Sequence, residues 1–152
     1  MRFILADMIW PALFLEERLL SIPVIALGLA IEYVFVWRIT SLGVWGSILG
    51  DLAMNAASTL LGIFLIPALG LVWELLPGVL LYDLFHLGTF SPLTWAVTFC
   101  LAVLLNAALE TLVLAKGFEQ RIGKRGFGWL CLANGLSVGI AMASLVFIPT
   151  RG

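Results

Sequence analysis

The sequence predicts an all-α integral membrane protein with four transmembrane helices, arranged as two parallel-repeat hairpins with short interfacial helices beside them. The chain of 152 residues is 62% hydrophobic and only 11% charged, whereas soluble domains are usually about 25% charged. A soluble core of this size could not bury so much apolar surface. In addition, one spacing of polar residues occurs twice. We therefore expect residues 1–152 to form a single transmembrane domain.

The first two spans are predicted to form a hairpin. Each supplies the roughly 20 apolar residues that a helix needs to cross the hydrocarbon, and a short turn joins them. The first span is predicted from about residue 17 to 37. Residues 39–46 are rich in Thr, Ser and Gly, which is typical of a turn. The second span is predicted over 47–75, and its length favours a tilt or a break near Pro67 and Gly70.

The second hairpin follows a less regular segment. Residues 76–91 contain Pro, Gly, Asp and His among apolar residues, which favours a short helix in the interface. Residues 1–14 are predicted to be a similar interfacial or partly inserted segment. The third span is predicted over 93–115 and the fourth over 129–148, with the loop 116–128 between them.

The polar residues of the two hairpins share a spacing. In both, an acid precedes a base by six residues and an Asn precedes a Ser by three, and the acid precedes the Asn by 23 or 24 residues. These residues are Glu32, Arg38, Asn55 and Ser58 in the first hairpin, and Glu110, Lys116, Asn134 and Ser137 in the second. The chain therefore divides into repeats of about 10–75 and 77–149. Because each contains two spans, both repeats point the same way across the membrane.

The polar side chains inside the spans are predicted to face one another. Antiparallel packing brings Glu32 and Asn55 to the same depth, and likewise Glu110 and Asn134. A charge at the centre of a membrane helix costs about 2.5–3.5 kcal/mol, so we expect the two glutamates to face the bundle interior. The predicted intramembrane polar cluster comprises Glu32, Asp51, Asn55, Ser58, Asn106, Glu110, Asn134 and Ser137.

Two interpretations of this cluster remain open. In the first, the polar side chains only hold the helices together, through interhelical hydrogen bonds worth about 0.6 kcal/mol each. In the second, they line a path or pocket for a proton, a cation or a polar headgroup. A separate ridge of small residues, Gly135, Gly139 and Ala143, predicts close helix packing. The ridge does not say whether its partner helix belongs to the same chain.

The charges of the loops predict an orientation. Loops 39–46 and 116–128, with the adjoining span ends, carry five of the eight Lys and Arg residues, so the positive-inside rule places them in the cytoplasm and both termini outside. The expected location is the inner membrane of a bacterium.

No residue pattern points to a catalytic site, a metal or a cofactor. His86 is the only histidine, and no phosphate-binding glycine loop is present. The net charge of −1 gives no reason to expect nucleic acid. A lipid-modifying enzyme that uses the two buried glutamates stays a third hypothesis, and we predict no enzymatic activity.

Two functions from different classes are carried forward. The first is a small subunit or assembly partner of a membrane complex, favoured by the short chain and the glycine ridge. The second is an oligomeric channel or transporter for a proton, a cation or a small solute, favoured by the repeated acid–amide pair. The expected partners are the lipid bilayer and either copies of the same chain or other membrane proteins.

Overall fold

The computed structural model describes residues 21–85 and 91–147. These residues form helices and short connections, with no strand among them. In chain order the elements are α1 (Ile22–Ile39), α2 (Gly43–Trp73), a π-helical turn (Glu74–Gly78), α3 (Val79–Phe85), α4 (Pro92–Gly117) and α5 (Lys124–Phe147). The predicted all-α class is confirmed, and four helices are long and apolar enough to cross a membrane.

The ends of the helices follow from local hydrogen bonding. Helix α4 begins after Ser91, whose Oγ accepts a hydrogen bond from the backbone N–H of Thr94 at 3.3 Å, and Pro92 occupies the first turn, where its missing N–H does no harm. Helix α1 ends at Thr40, whose N–H and hydroxyl both donate to the carbonyl of Val36. Both boundaries are therefore set by short polar residues.

The two hairpin loops are shorter than predicted. Helix α2 begins at Gly43 rather than after residue 46, and α5 begins at Lys124 rather than near residue 129. Gly43 has a φ of +68°, a left-handed conformation that lets the chain reverse within three residues. The glycines at 46, 126 and 128 suggested loop, but tertiary packing outweighs their low helix propensity.

Of the tilt or break predicted for the long second span, the break near Pro67 and Gly70 does not occur. Helix α2 continues through both residues to Trp73, and the irregularity comes later, in the π-helical turn Glu74–Gly78 around Pro77. Proline cannot donate a backbone hydrogen bond, and a wider π turn accommodates this. Helix α3 follows directly, so the segment predicted as interfacial is helical as far as residue 85. Residues 1–14 and the remainder of 76–91 before Ser91 lie outside the described residues.

The four long helices form a ring in which each packs against two others. Helices α1 and α4 both contact α2 and α5. The two hairpin loops lie together at one end, where the N–H and hydroxyl of Ser41 donate to Oε1 of Gln120 at 3.0 and 3.1 Å. The two hairpins therefore stand side by side and point the same way.

The interior contains two apolar clusters. The cluster nearer the hairpin loops consists of Val36, Met54, Ala107, Leu114 and Leu130. The cluster at the opposite end consists of Val24, Ile66, Ala102, Val103, Val138 and Ala141. The outer surface is also apolar, since large side chains such as Trp45 and Phe64 are 78% and 74% exposed. Several polar side chains of the helices nevertheless lie in the interior, among them Glu32, Asp51 and Glu110.

The glycine ridge of α5 faces α4 of the same chain. A Cβ atom at Gly135 or Gly139 would lie 4.0 or 3.9 Å from the ring of Phe99. The ridge thus forms a flat surface for one phenyl ring, and Ala143, its third member, is exposed. Phe99 belongs to the apolar packing at this end of the bundle.

We expect Phe99→Ala to destabilise the protein by about 2–4 kcal/mol, because it leaves a cavity beside two glycines that have no side chain to fill it. Thermal unfolding in a mild detergent measures the change. Phe64→Ala is the matched control and should be nearly neutral, since that ring is 74% exposed. Equal losses in the two variants would show that Phe99 does not hold α4 against α5.

Candidate functional site

The polar side chains of the four long helices gather mainly between the two apolar clusters. Along α1, Glu32 lies between Val24 of one cluster and Val36 of the other. Ser58 occupies the comparable position on α2, between Met54 and Ile66. The buried polar side chains include Glu32, Ser47, Asp51, Ser58, Glu110, Asn134 and Ser137. Glu32, Ser58, Asn134 and Ser137 therefore form a polar layer between the two clusters, and the polar region extends into the cluster nearer the hairpin loops through Ser47, Asp51 and Glu110.

Glu110 and Asn134 form a short hydrogen bond within the second hairpin. Nδ2 of Asn134 donates to Oε2 of Glu110 at 2.6 Å and also to the carbonyl of Leu130 at 3.1 Å. Glu110 is fully buried and Asn134 is 1% exposed. The acid of α4 and the amide of α5 are therefore paired between the two helices of this hairpin.

The shortest hydrogen bond of Glu32 joins it to a residue other than Asn55, although Asn55 lies close enough to interact with the same carboxyl group. Oε1 of Glu32 accepts a hydrogen bond of 2.8 Å from Oγ of Ser137, which joins α1 to α5. Gly28, one turn before Glu32, lies beside this bond, since a Cβ there would be in van der Waals contact with the same Oγ at 3.5 Å. The bond therefore connects the first hairpin to the second.

Asn55 pairs along its own helix. Its Nδ2 donates to the carbonyl oxygen and to Oδ1 of Asp51, at 3.0 and 3.2 Å. Side chains four residues apart on a helix are neighbours, and such a pair forms without any help from a second helix. Asn55 nevertheless lines the same cavity as Glu32, so the two residues share a site.

A cavity of about 480 Å³ lies beside the polar layer. Its walls come mainly from α1 and α2, and its rim includes exposed residues such as Ile25 and Leu60. Six of the eight predicted cluster residues line it: Glu32, Asn55, Ser58, Asn106, Asn134 and Ser137. The other two, Asp51 and Glu110, are not part of the lining. The cavity is thus apolar at its rim and polar along part of its inner wall.

Several buried polar atoms around this layer have no hydrogen-bond partner. They are Oε2 of Glu32, Oε1 of Glu110, Oδ1 of Asn106 and Oγ of Ser47. Leaving a buried polar atom unpaired costs about 1–3 kcal/mol, and more for a charged group. Native structures therefore rarely leave such atoms unpaired unless an unseen water, ion or ligand contacts them. Three of the four atoms are carboxyl or amide oxygens, which are suitable ligands for a cation or for water.

The three buried carboxyl groups also affect one another electrostatically. Glu32 interacts with both Asp51 and Glu110, and Asp51 interacts with Glu110. Coulomb repulsion in a medium of low dielectric opposes a state in which all three are ionised without a nearby cation. Within the described ranges, no three Asp, Glu, His or Cys side chains are grouped to hold a metal ion. Protons, or one cation held by mixed oxygens, would balance the charge.

Gly28 lines the cavity, and Ser47 is a buried polar residue close to Asp51 in sequence; neither was identified from the sequence. Ser47 extends the stripe of Asp51, Asn55 and Ser58 by one turn, and its spacing of four residues from Asp51 was a usable signal. Gly28 lies four residues before Glu32, which places both on one face of α1. A small residue next to a buried acid indicates room for a partner from another helix.

No protein-family model, curated protein or solved structure matches this chain. Its chemistry must therefore be inferred from the polar layer and the cavity.

Ser137→Ala should destabilise the protein by about 1–3 kcal/mol, because it leaves both carboxyl oxygens of the buried Glu32 without a partner. Unfolding in detergent, followed by circular dichroism, measures the effect. Ser58→Ala is the matched control. Ser58 holds the corresponding place in the first hairpin but donates only to the carbonyl of Asn55, in its own helix, so its loss should be smaller. A double-mutant cycle with Glu32→Gln should show coupling for Ser137 and none for Ser58.

Proposed function

We propose that this chain is an integral membrane protein that binds a proton or a small cation between its helices and acts as a small oligomeric channel or transporter. The unpaired carboxyl oxygen of Glu32 carries the proposal. It is buried, it has no hydrogen-bond partner, and its side chain lines a cavity of about 480 Å³. A cation at this position would supply the missing contact, and a proton would remove the charge of the buried carboxylate.

Membrane insertion is supported by the lengths of the helices and by the positions of their tryptophans. Trp37, Trp45 and Trp129 lie near the end that carries the hairpin loops, while Trp73 and Trp95 lie near the other ends of α2 and α4. Tryptophan is enriched at both membrane interfaces. From Trp95 to the end of α4 the helix rises about 30 Å, which matches the thickness of the hydrocarbon core.

The parallel repeat is supported by the way the helices pack. If the two hairpins are repeats, α1 corresponds to α4 and α2 corresponds to α5. The contact between α1 and α5 then corresponds to the contact between α4 and α2, and the structure contains both contacts. The repeats differ in chemistry, because Ser137 reaches across to Glu32 whereas Ser58 bonds within its own helix. The proposed site therefore uses the two halves unequally.

In this proposal Glu32 is the residue that binds the ion, and Glu110 is a second carboxyl group behind it. Asn134 lines the cavity and bonds to Glu110, while Ser137 lines it and bonds to Glu32. The two side chains lie one turn apart on α5. They offer adjacent polar groups through which a proton or a dehydrated cation can pass between the two acids.

The proposed orientation keeps the hairpin loops in the cytoplasm, with the inner membrane of a bacterium as the location. All of the Lys and Arg residues in the described part of the chain lie at the end that carries these loops: Arg38, Lys116, Arg121, Lys124 and Arg125. Over the whole sequence five of the eight Lys and Arg residues belong to this end, and this excess supports the positive-inside assignment. An impermeant reagent for amines, applied to right-side-out vesicles, should leave Lys116 and Lys124 unlabelled.

The second candidate function is a subunit or assembly partner of a larger membrane complex. The apolar outer surface, with side chains such as Trp45 and Phe64 exposed, favours it because this surface fits other membrane helices as well as lipid. Native mass spectrometry of tagged protein, extracted from its own membrane, separates the candidates. A stoichiometric foreign partner supports the subunit, and a closed homo-oligomer supports the channel or transporter.

We expect Glu32→Gln to reduce ion flux about tenfold or more, because it removes a charge-assisted contact worth about 1.5–3 kcal/mol. The measurement uses purified protein in liposomes, with a pH-sensitive dye for protons and potassium-loaded vesicles for cations. Glu110→Gln tests the second carboxyl group in the same assay.

Asp83→Asn is the matched control, since Asp83 is an exposed acid on α3 and does not line the cavity. It should keep the wild-type flux. If the wild-type protein carries neither protons nor potassium, the transport proposal fails. If Glu32→Gln remains folded and conducts normally, Glu32 is not the binding residue.

A further inference from the structure

A second concave surface lies at the end of the bundle that carries the hairpin loops. We call it the basic groove. It is formed by the last turns of α1, by the loop before α5 and by the first turns of α5, and it is separate from the cavity near Glu32. Its lining comprises Val34, Phe35, Arg38, Ile39, Arg121, Ile122, Gly123, Arg125, Gly126 and Trp129.

Three arginines from different parts of the chain converge on this groove. Arg38 comes from α1, Arg121 from the loop and Arg125 from the start of α5. All three are exposed, and within residues 21–85 and 91–147 no carboxylate forms an ion pair with any of them. Three like charges side by side repel one another unless an anion lies between them.

The wall of the groove is aromatic and aliphatic. The rings of Phe35 and Trp129 lie 5.7 Å apart between centroids, with their planes tilted by 43°, so α1 and α5 both contribute an aromatic ring to this wall. Val34 and Ile39 continue the apolar wall along α1. The groove therefore combines a positively charged region near the helix ends with an apolar flank that runs toward the middle of the bundle.

We propose that the basic groove binds the phosphate group of an anionic phospholipid, with the guanidinium groups on the phosphate and the first part of an acyl chain along Val34 and Trp129. Arginine suits this task because its planar fork makes two parallel hydrogen bonds to a phosphate. The groove also lies at the helix ends, the depth at which headgroups sit if the four helices span a bilayer. The inference rests on that proposed insertion but not on ion transport.

The groove differs from an ordinary positively charged membrane surface in its geometry. Lys116 and Lys124 lie at the same end of the bundle but do not line the groove. General attraction to anionic lipid gives each positive charge at this surface a similar weight of about 1 kcal/mol. A binding site with defined geometry instead makes the affinity for the lipid depend more on the arginines than on the lysines. This difference in affinity is measurable.

The test is native mass spectrometry of the full chain in detergent, titrated with phosphatidylglycerol and, separately, with phosphatidylcholine. We expect one phosphatidylglycerol per chain to bind more tightly than phosphatidylcholine. The variant R121Q/R125Q should weaken phosphatidylglycerol binding about tenfold or more, since each lost charge-assisted contact is worth about 1.5–3 kcal/mol. R121K/R125K keeps the charge but loses the fork, so it should bind with intermediate affinity.

K116Q/K124Q is the matched control, because it removes the same charge from the same end without touching the groove. It should keep at least most of the affinity. Equal losses in the arginine and lysine variants would overturn the proposal in favour of general surface attraction. Glycerol phosphate distinguishes the two sources of a phosphate: if it displaces the lipid at similar concentration, the groove recognises a free phosphate compound, and if not, the acyl chain contributes.

Because all three arginines are exposed, their substitution should leave the fold intact, and thermal unfolding in detergent checks this. If R121Q/R125Q does unfold, W129A provides an independent variant that keeps all three charges and removes the apolar flank. It should weaken phosphatidylglycerol binding without changing any response to free glycerol phosphate. Unchanged lipid binding in that variant would contradict the placement of the acyl chain.

Discussion

The structure depends on how a few polar side chains are satisfied inside an apolar bundle. An unpaired polar group in a medium without water is costly, so each buried acid must find a donor. Asn134 donates a hydrogen bond of 2.6 Å to Glu110, and Ser137 donates one of 2.8 Å to Glu32. Both donors lie on α5, one turn apart. Helix α5 is thereby bonded to α4 and to α1, and its register against both is fixed by these two contacts.

The bundle is compact on one side and open on the other. On the side of α4 and α5, the ring of Phe99 covers the two glycines of the ridge. On the side of α1 and α2, no comparable ring fills the space beside Gly28 and Ala56, and a cavity of about 480 Å³ remains there. The open side also contains Glu32 with its unpaired oxygen. The cavity therefore lies where no aromatic side chain fills the space between the helices.

The end that carries the hairpin loops has a different character. There the chain is exposed, charged and aromatic, and Ser41 of one loop bonds to Gln120 of the other. This contact places Arg121, beside Gln120, near the end of α1 and so brings Arg38 and Arg121 to one groove. The two proposed sites lie at different depths. One is a buried site for a cation or a proton, and the other is an exposed site for a phosphate group.

The sequence alone determined the helical class, the four candidate spans and the inward position of the buried acids. These features follow from length, hydropathy and the cost of a charge in an apolar medium, which act on each segment separately. Local signals misplaced the loops, because Gly43 and Lys124 begin helices that only tertiary packing stabilises. The π-helical turn was missed because Pro67 and Pro77 look alike in the sequence.

Only the tertiary structure decided which donor meets which acid. The repeated spacing predicts a partner within each hairpin, and this holds for Glu110 and Asn134. For Glu32 the donor is Ser137, 105 residues away, while Nδ2 of Asn55 donates to Asp51 on its own helix. Hydrogen bonds along a helix can be inferred from spacing, whereas contacts between helices depend on rotation and packing, which no local pattern records.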